Sequence, residues 1–395
     1  MLINCRGFHL FYMEAGQGSL SEDTPMTAAI DQGFQTQRYI INHDIMDCTA
    51  DGVVGNYLYS GRALGMSAPQ DLIQLHPQLR PLWKDISKHY ARIKLPHSRN
   101  VIWEVGLQEI REIAGFMPSF FFFGTRERSV WEDHDWFKAV DYINSKNNFI
   151  SLAEELGVDV PHTHCFEHAA DITADDIEGM NFPCYLKAAV SVSGVGIYRC
   201  DNSDQFSEAL ECFEPEVPVQ VQEEIETEIF LNLQYQITDG QLERLAASEQ
   251  ILDGFVHQGN RYPACYEPWE SVEPMAKWLK DQGIQGVFAF DVAVQQTEQG
   301  PRFPVIECNP RFNGASYPTM IANKLSIPEW SSRTYRTRHR DLSQIDLEGI
   351  EFNPMSGLGV IVVNWGTVLE GKLMFLLAGT CEQQDALSVE LEQRL

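Results

Sequence analysis

The segment Phe303-Pro-Val-Ile-Glu-Cys-Asn-Pro-Arg-Phe-Asn-Gly314 opens as an apolar strand and then sets Glu307, Asn309 and Arg311 at alternate positions. Residues two apart in a strand share a face and lie roughly 6.5 Å apart along it. A carboxylate and an amide oxygen therefore point into one cleft, with a guanidinium just beyond as Pro310 ends the strand. Two hard oxygen donors followed by a cation suit Mg²⁺ carrying phosphates, because Mg²⁺ takes oxygen ligands and shares its shell with a nucleotide. A single Glu-x-Asn is as readily a solvated strand end, so the weight falls on what the rest of the chain supplies.

The nearest support is the preceding strand, Gln285 to Val294, with Val287, Ala289, Asp291 and Ala293 on one side. The polar stretch Gln295 to Arg302 is short enough to reverse the chain, so the two strands are expected to pair antiparallel. That pairing brings Asp291 beside Glu307 and Asn309. A lone buried carboxylate among apolar neighbours is expensive, and three oxygen donors converging from adjacent strands can hold one or two Mg²⁺ ions between ATP phosphates.

Upstream, Phe182 to Ala188 alternates as a strand with Tyr185 and Lys187 on one face. The loop Ser191-Val-Ser-Gly-Val-Gly196 follows, and Ile197 to Cys200 is a second strand. A lysine there reaches phosphates while the backbone N–H groups of a small-residue loop fold over them. Lys146, ahead of a helix carrying Phe149, Leu152 and Leu156 and stopped at Gly157, offers a second phosphate contact. Ser203 is expected to cap a helix bearing Phe206, Leu210 and Phe213. Val217, Val219 and Val221 alternate in a strand running into Glu223, Glu224 and Glu226, and Glu228 to Ile237 forms another. Ser271 to Gln282 reads as an amphipathic helix.

Outside this region the signals are sparser. Residues 1–134 read as an α/β region, with strands at Arg38–Ile41, Val101–Trp103 and Ser119–Phe123. Gly52, Gly55, Gly61 and Gly65 match no phosphate-loop spacing and are assigned to turns and helix packing. Residues 332–353 are polar and charged, a linker or surface excursion. Beyond them, paired strands at Gly357–Trp365 and Lys372–Gly379 and a terminal helix from Cys381 make a small C-terminal α/β cap.

Composition sets the bounds. The 395 residues suffice for two or three domains. A formal net charge of −27 argues against nucleic acid or an anionic membrane as partner. ATP is not excluded, since screening acts over about 8 Å and local charge decides phosphate binding. Nine scattered cysteines without a C-x-x-C pair point to reduced thiols in a cytoplasmic protein. No signal-peptide pattern is read at the N-terminus, and no apolar run is long enough for a membrane helix.

Taken in order, Lys146, Phe182-Pro…Lys187 with its Ser/Gly loop, Val219-Gln-Val-Gln-Glu-Glu-Ile225, Asp291 and Glu307-x-Asn309-Pro-Arg311-x-x-Gly314 resemble the ATP-grasp superfamily over residues 136–325. The resemblance implies an ATP-grasp core at 135–331 with a lid at about 160–222, an N-terminal pre-grasp α/β domain at 1–134, and the cap at 332–395. It implies that Lys146 and Lys187 contact phosphates, with Ser191, Ser193, Gly194 and Gly196 in the covering loop. Asp291, Glu307 and Asn309 would bind Mg²⁺, and Arg311, with Lys187, would act on the transferring phosphoryl group. Adenine and ribose contacts fall at Glu223, Glu224, Ile225 and Glu228. Gln222 stands where an acid is common, which leaves open which glutamate meets the ribose.

The implied activity is that of an ADP-forming carboxylate–amine ligase with ATP and Mg²⁺, acting on a small-molecule carboxylate and an amine. An ATP-grasp kinase and a non-catalytic nucleotide-binding module are the rival readings. No Met-Lys-Met biotinylation segment favours a biotin-dependent carboxylase. His257, Arg261, Tyr262, Ser316 and Tyr317 are candidates for the acceptor pocket, and a homodimer through the N-terminal region is the default expectation.

Overall fold

Strict alternation in Leu231-Asn-Leu-Gln-Tyr-Gln-Ile237 gives a strand one apolar and one polar face, and the centre of the molecule is built from that division. In the computed structural model, which describes residues 37–46, 55–130, 134–190, 196–254 and 256–395, Phe230–Thr238 lies inside an eight-stranded antiparallel sheet. The order across the sheet is Val305–Asn309, Gly286–Ala293, Phe230–Thr238, Gln241–Asp253, Val256–Tyr262, Trp330–Arg336, Lys372–Ala378 and Gly359–Asn364.

One face buries Leu231, Leu233, Tyr235 and Ile237 with Phe288, Phe290 and Val292. Helices Trp136–Asn144, Lys146–Glu155 and Trp269–Asp281 cover it through Ile143, Phe149, Leu152, Val272, Met275 and Leu279. Gly157, at φ +69°, ends the second helix in the left-handed conformation that glycine adopts at no steric cost. The opposite face carries the amides Asn232, Gln234 and Gln236, register partners of Asp291, Ala289 and Val287.

A second, four-stranded antiparallel sheet contains Thr163–Phe166, Val219–Glu223, Cys184–Ala188 and Ile197–Cys200 in that order. Helix Ser203–Leu210 packs Phe206 onto it. Its N-cap is Asn202 rather than Ser203: the Asn202 side chain accepts from the Gln205 N–H at 3.0 Å, so the helix is capped one residue earlier than expected. A third sheet is parallel, ordered Asn100–Ile102, Leu72–Gln74, Tyr39–Asn42 and Met117–Phe120. Three of its strands match the expected ones to within a few residues.

The C-terminal part departs from expectation. Trp330–Arg336 is a strand within the stretch assigned mainly to a polar linker, because Trp330 and Tyr335 are buried among polar neighbours that satisfy sheet partners. The strands Gly359–Asn364 and Lys372–Ala378 extend the central sheet instead of closing a separate cap. Their apolar residues share one core with Ile41, Leu58 and Leu64 from the N-terminal region and with Leu391 of the last helix, Cys381–Arg394. Of the four early glycines, Gly52 lies outside the described residues and Gly55 takes a positive φ of 73° at a helix start. Gly61 and Gly65 allow close packing, since a Cβ at Gly65 would sit 2.5 Å from Ile321 Cδ1.

Candidate active site

Gly286–Ala293 and Val305–Asn309 pair antiparallel with Asp291 opposite Glu307 and Ala289 opposite Asn309. Phe290 and Cys308 pair on the apolar side, so both carboxylates and the Asn309 amide emerge together on the polar face. A bulge between Asp291 and Val292 follows immediately. Lys146, at the start of its helix and 7% exposed, reaches Glu307 Oε2 with its Nζ at 3.1 Å. Arg311 Nη1 donates to Asn309 Oδ1. Five predicted residues, Lys146, Asp291, Glu307, Asn309 and Arg311, thus converge.

Asp291 is wrapped in amides. Its Oδ1 accepts from Asn232 Nδ2 and Gln250 Nε2, each at 2.7 Å, and its Oδ2 from Asn309 Nδ2 at 3.0 Å. Asn313 Nδ2 in turn donates to Asn232 Oδ1 at 3.4 Å. Asn232, Gln250 and Asn313 were not singled out in the sequence, although the amides at every second residue of 231–237 are a signal of a polar sheet face.

The two carboxylates are driven apart in proton affinity. Burial and the neighbouring Glu307 charge push Asp291 up to about 7, against the hydrogen bonds from Asn232 and Asn309. Burial also works to raise Glu307, but Lys146, Lys187 and Arg311 outweigh it and hold it at about 2. Like charges facing one another in a cleft are what a divalent cation relieves, and the donor set of two carboxylates and an amide oxygen fits Mg²⁺.

Lys187 projects from the four-stranded sheet, 7% exposed, with Nζ 2.6 Å from Gln222 Oε1. Burial, assisted by the Lys146 charge and opposed by Glu307, brings it down to about 8. Gln222 Nε2 also donates to Thr163 Oγ1 at 3.0 Å. Gln220, opposite Lys187 in register, is buried with neither end of its amide hydrogen-bonded among the described residues.

The loop after Lys187 is anchored at its base, where Ala188 N–H donates to Gly196 O at 2.9 Å and Gly196 takes φ +74°. Ser191, Ser193 and Gly194 lie outside the described residues. Glu224 is held by Arg199, through Nε at 2.7 Å and Nη2 at 2.9 Å, and by Tyr185 OH at 2.9 Å. Glu223 Oε1 accepts from the His162 N–H at 2.8 Å. Ile225 is buried and Glu228 exposed.

The acceptor candidates divide. His257 lies against Gly314, where a Cβ would stand 2.6 Å from the imidazole Cε1, and its Nε2 meets Asn260 Oδ1 at 2.7 Å. Tyr317 is fully buried with its hydroxyl 3.0 Å from His43 Nδ1, and Ser316 Oγ accepts from the Asn313 N–H at 3.1 Å and donates to Asn313 Oδ1 at 3.2 Å. Arg261 and Tyr262 belong to a sheet strand, Tyr262 stacking on Trp330.

No family model and no curated protein sequence matches the chain. Solved structures do. An N5-carboxyaminoimidazole synthetase from Staphylococcus aureus, complexed with ADP, superposes at TM-score 0.60 with 12% identity, covering 91% of this chain and 97% of that one. A carboxyaminoimidazole ribonucleotide synthase from Aspergillus clavatus, complexed with ATP, gives 0.53 at 13% identity over 84% of this chain and 99% of the other. An L-amino acid ligase from Bacillus licheniformis gives 0.52 at 12% identity over 91% and 98%. The chain has the ATP-grasp fold.

Proposed function

We propose that this chain is an ADP-forming carboxylate–amine ligase. The observation that carries the reading is the Asp291–Glu307 pair on adjacent strands, flanked by three cations on a fold shared with nucleotide-bound synthetases. A substrate carboxylate oxygen attacks the γ-phosphorus of ATP, ADP leaves, and an acyl phosphate forms. The amine nitrogen then attacks the acyl carbon, phosphate leaves, and the amine surrenders a proton to give the amide.

The chain's own contribution is positioning and charge. Lys146 and Lys187 bind the phosphates, and Arg311 neutralises the transferring phosphoryl group. Asp291, Glu307 and Asn309 would hold Mg²⁺, which supplies charge neutralisation at the phosphate oxygens. The Asn232 and Gln250 amides orient Asp291. Glu223, Glu224, Ile225 and Glu228 form the adenine and ribose side, and Ser191, Ser193, Gly194 and Gly196 cover the phosphates. That the Bacillus licheniformis neighbour ligates L-amino acids, and that a second Aspergillus clavatus structure holds 5-aminoimidazole ribonucleotide, supports an amine-bearing small molecule as acceptor.

A cytoplasmic location and a homodimer complete the reading. Among the described residues no helix is long and apolar enough to cross a membrane. The test is a screen of paired amino-acid and carboxylic-acid pools for ADP and phosphate release, followed by product mass. Release that needs both a carboxylate and an amine supports the ligase. Phosphorylated product without amide identifies a kinase, and ATP binding without turnover identifies a regulatory module.

A further inference from the structure

Arg62 sits on the helical segment Asn56–Met66, 7% exposed, with its guanidinium carbon over the rings of Phe121 and Tyr317, each at 4.4 Å, and Tyr59 at 5.1 Å. Its Nε and Nη2 make no hydrogen bond, and no carboxylate pairs with it among the described residues. Stacking on aromatic rings recovers less than desolvating a guanidinium costs. Arginine cannot escape that cost by losing its proton. A cation so placed calls for an anion.

The unpaired edge identifies which anion. Nε and Nη2 lie side by side and donate in parallel, matching the two oxygens of a carboxylate. Elsewhere in this chain the same pair of nitrogens grips a carboxylate three times: Arg92 on Glu351, Arg199 on Glu224 and Arg302 on Asp159. Arg62 has the same fork, buried and unpaired among the described residues. The location is equally specific, because Arg311, assigned above to the phosphoryl group, has its guanidinium carbon 5.8 Å from the centre of the same Phe121 ring. Both guanidinium groups thus lie against one aromatic ring. The imidazole beside them is held neutral: burial, aided by the Arg62 charge, drives His43 well below its ordinary range. It does not compete as an anion partner, and its two nitrogens are occupied by Tyr317 and Ser119.

We infer that Arg62 anchors a carboxylate of the substrate that is not itself phosphorylated, so that the chain acts on an amino acid or a dicarboxylic acid. This rests on the ligase reading for its chemistry, but the binding it asserts can be measured without turnover. The full-length chain, its Arg62→Met variant and its Arg62→Lys variant would be assayed with Mg²⁺-ATP against the twenty L-amino acids, succinate and inorganic phosphate. ADP release and thermal shift would be read in parallel, and each active amino acid compared with its carboxamide. The expected result is that wild type prefers acid to amide, while Arg62→Met raises KM for the acid by about 10²-fold, leaves KM for ATP unchanged, and loses the preference. Arg62→Lys, keeping the charge without the fork, falls between.

A folded Arg62→Met chain that still prefers acid to amide overturns the inference and makes Arg62 a packing cation. If that variant does not fold, an unchanged KM in Arg62→Lys does the same. A response to inorganic phosphate alone, or to no member of the panel, also overturns it. A wild type shifted by an amino acid that never releases ADP sinks the ligase reading and leaves the anchor standing.

Discussion

Glu307 and Asp291 face each other at one register position and yet shift in opposite directions, because the Arg311 charge acts on both while Lys146 and Lys187 act on Glu307. Replacing Glu307 by Gln removes the charge that Lys146 and Mg²⁺ would share while leaving the strand intact. ADP release is expected to fall by about 10²–10³-fold, with the circular dichroism spectrum unchanged; full turnover in the purified variant contradicts the assignment. Asn232→Leu, which leaves Asp291 short of one donor, is expected to lower turnover less, and the fall should be absent if Asn232 is mere filler. Alternation made Glu307, Asn309 and Asp291 legible, since each stands among apolar neighbours at strand spacing. Gln250 was not legible, because its strand, Gln241–Asp253, mixes charged and small residues without a clean period.

Among the elements, the least legible was Trp330–Arg336. Charges at Arg333 and Arg336 masked a strand whose buried side chains come at irregular intervals. Its pairing explains Gly259 on the neighbouring strand: a Cβ there would lie 1.7 Å from the Ser332 backbone oxygen. Gly259→Ala must part the two strands, at a cost of about 3 kcal/mol, read as a lowered urea midpoint. A second tie joins the helix Trp83–Arg92 to Glu351. Burial works against that carboxylate's charge, but hydrogen bonds from His89 at 2.6 Å and from Arg92 at 2.7 Å prevail and hold it at about 2. A carboxyl depressed below its ordinary 4.5 stabilises the fold above that value and ceases to as pH falls toward 2. Melting temperature should therefore decline between pH 4.5 and 2 in wild type, and less steeply in Glu351→Gln; parallel curves contradict the tie.

At the scale of the molecule, residues 37–395 form one compact unit. The ATP-grasp core was readable because its motifs come in order on strands with clean periods. The place of the C-terminal strands was not, since nothing local in Gly359–Asn364 says which sheet edge it joins. Residues 357–395 complete the core shared with Ile41 and Leu64, so a chain ending at 356 is expected to be insoluble or molten rather than an active enzyme without its cap. A soluble truncation with native-like circular dichroism contradicts that. The most direct measurement of the whole account uses a carboxylate substrate labelled with ¹⁸O in both oxygens, incubated with ATP, Mg²⁺ and the amine. Attack of that carboxylate on phosphorus predicts one ¹⁸O in each phosphate released; phosphate carrying only unlabelled oxygen, with amide still formed, contradicts it.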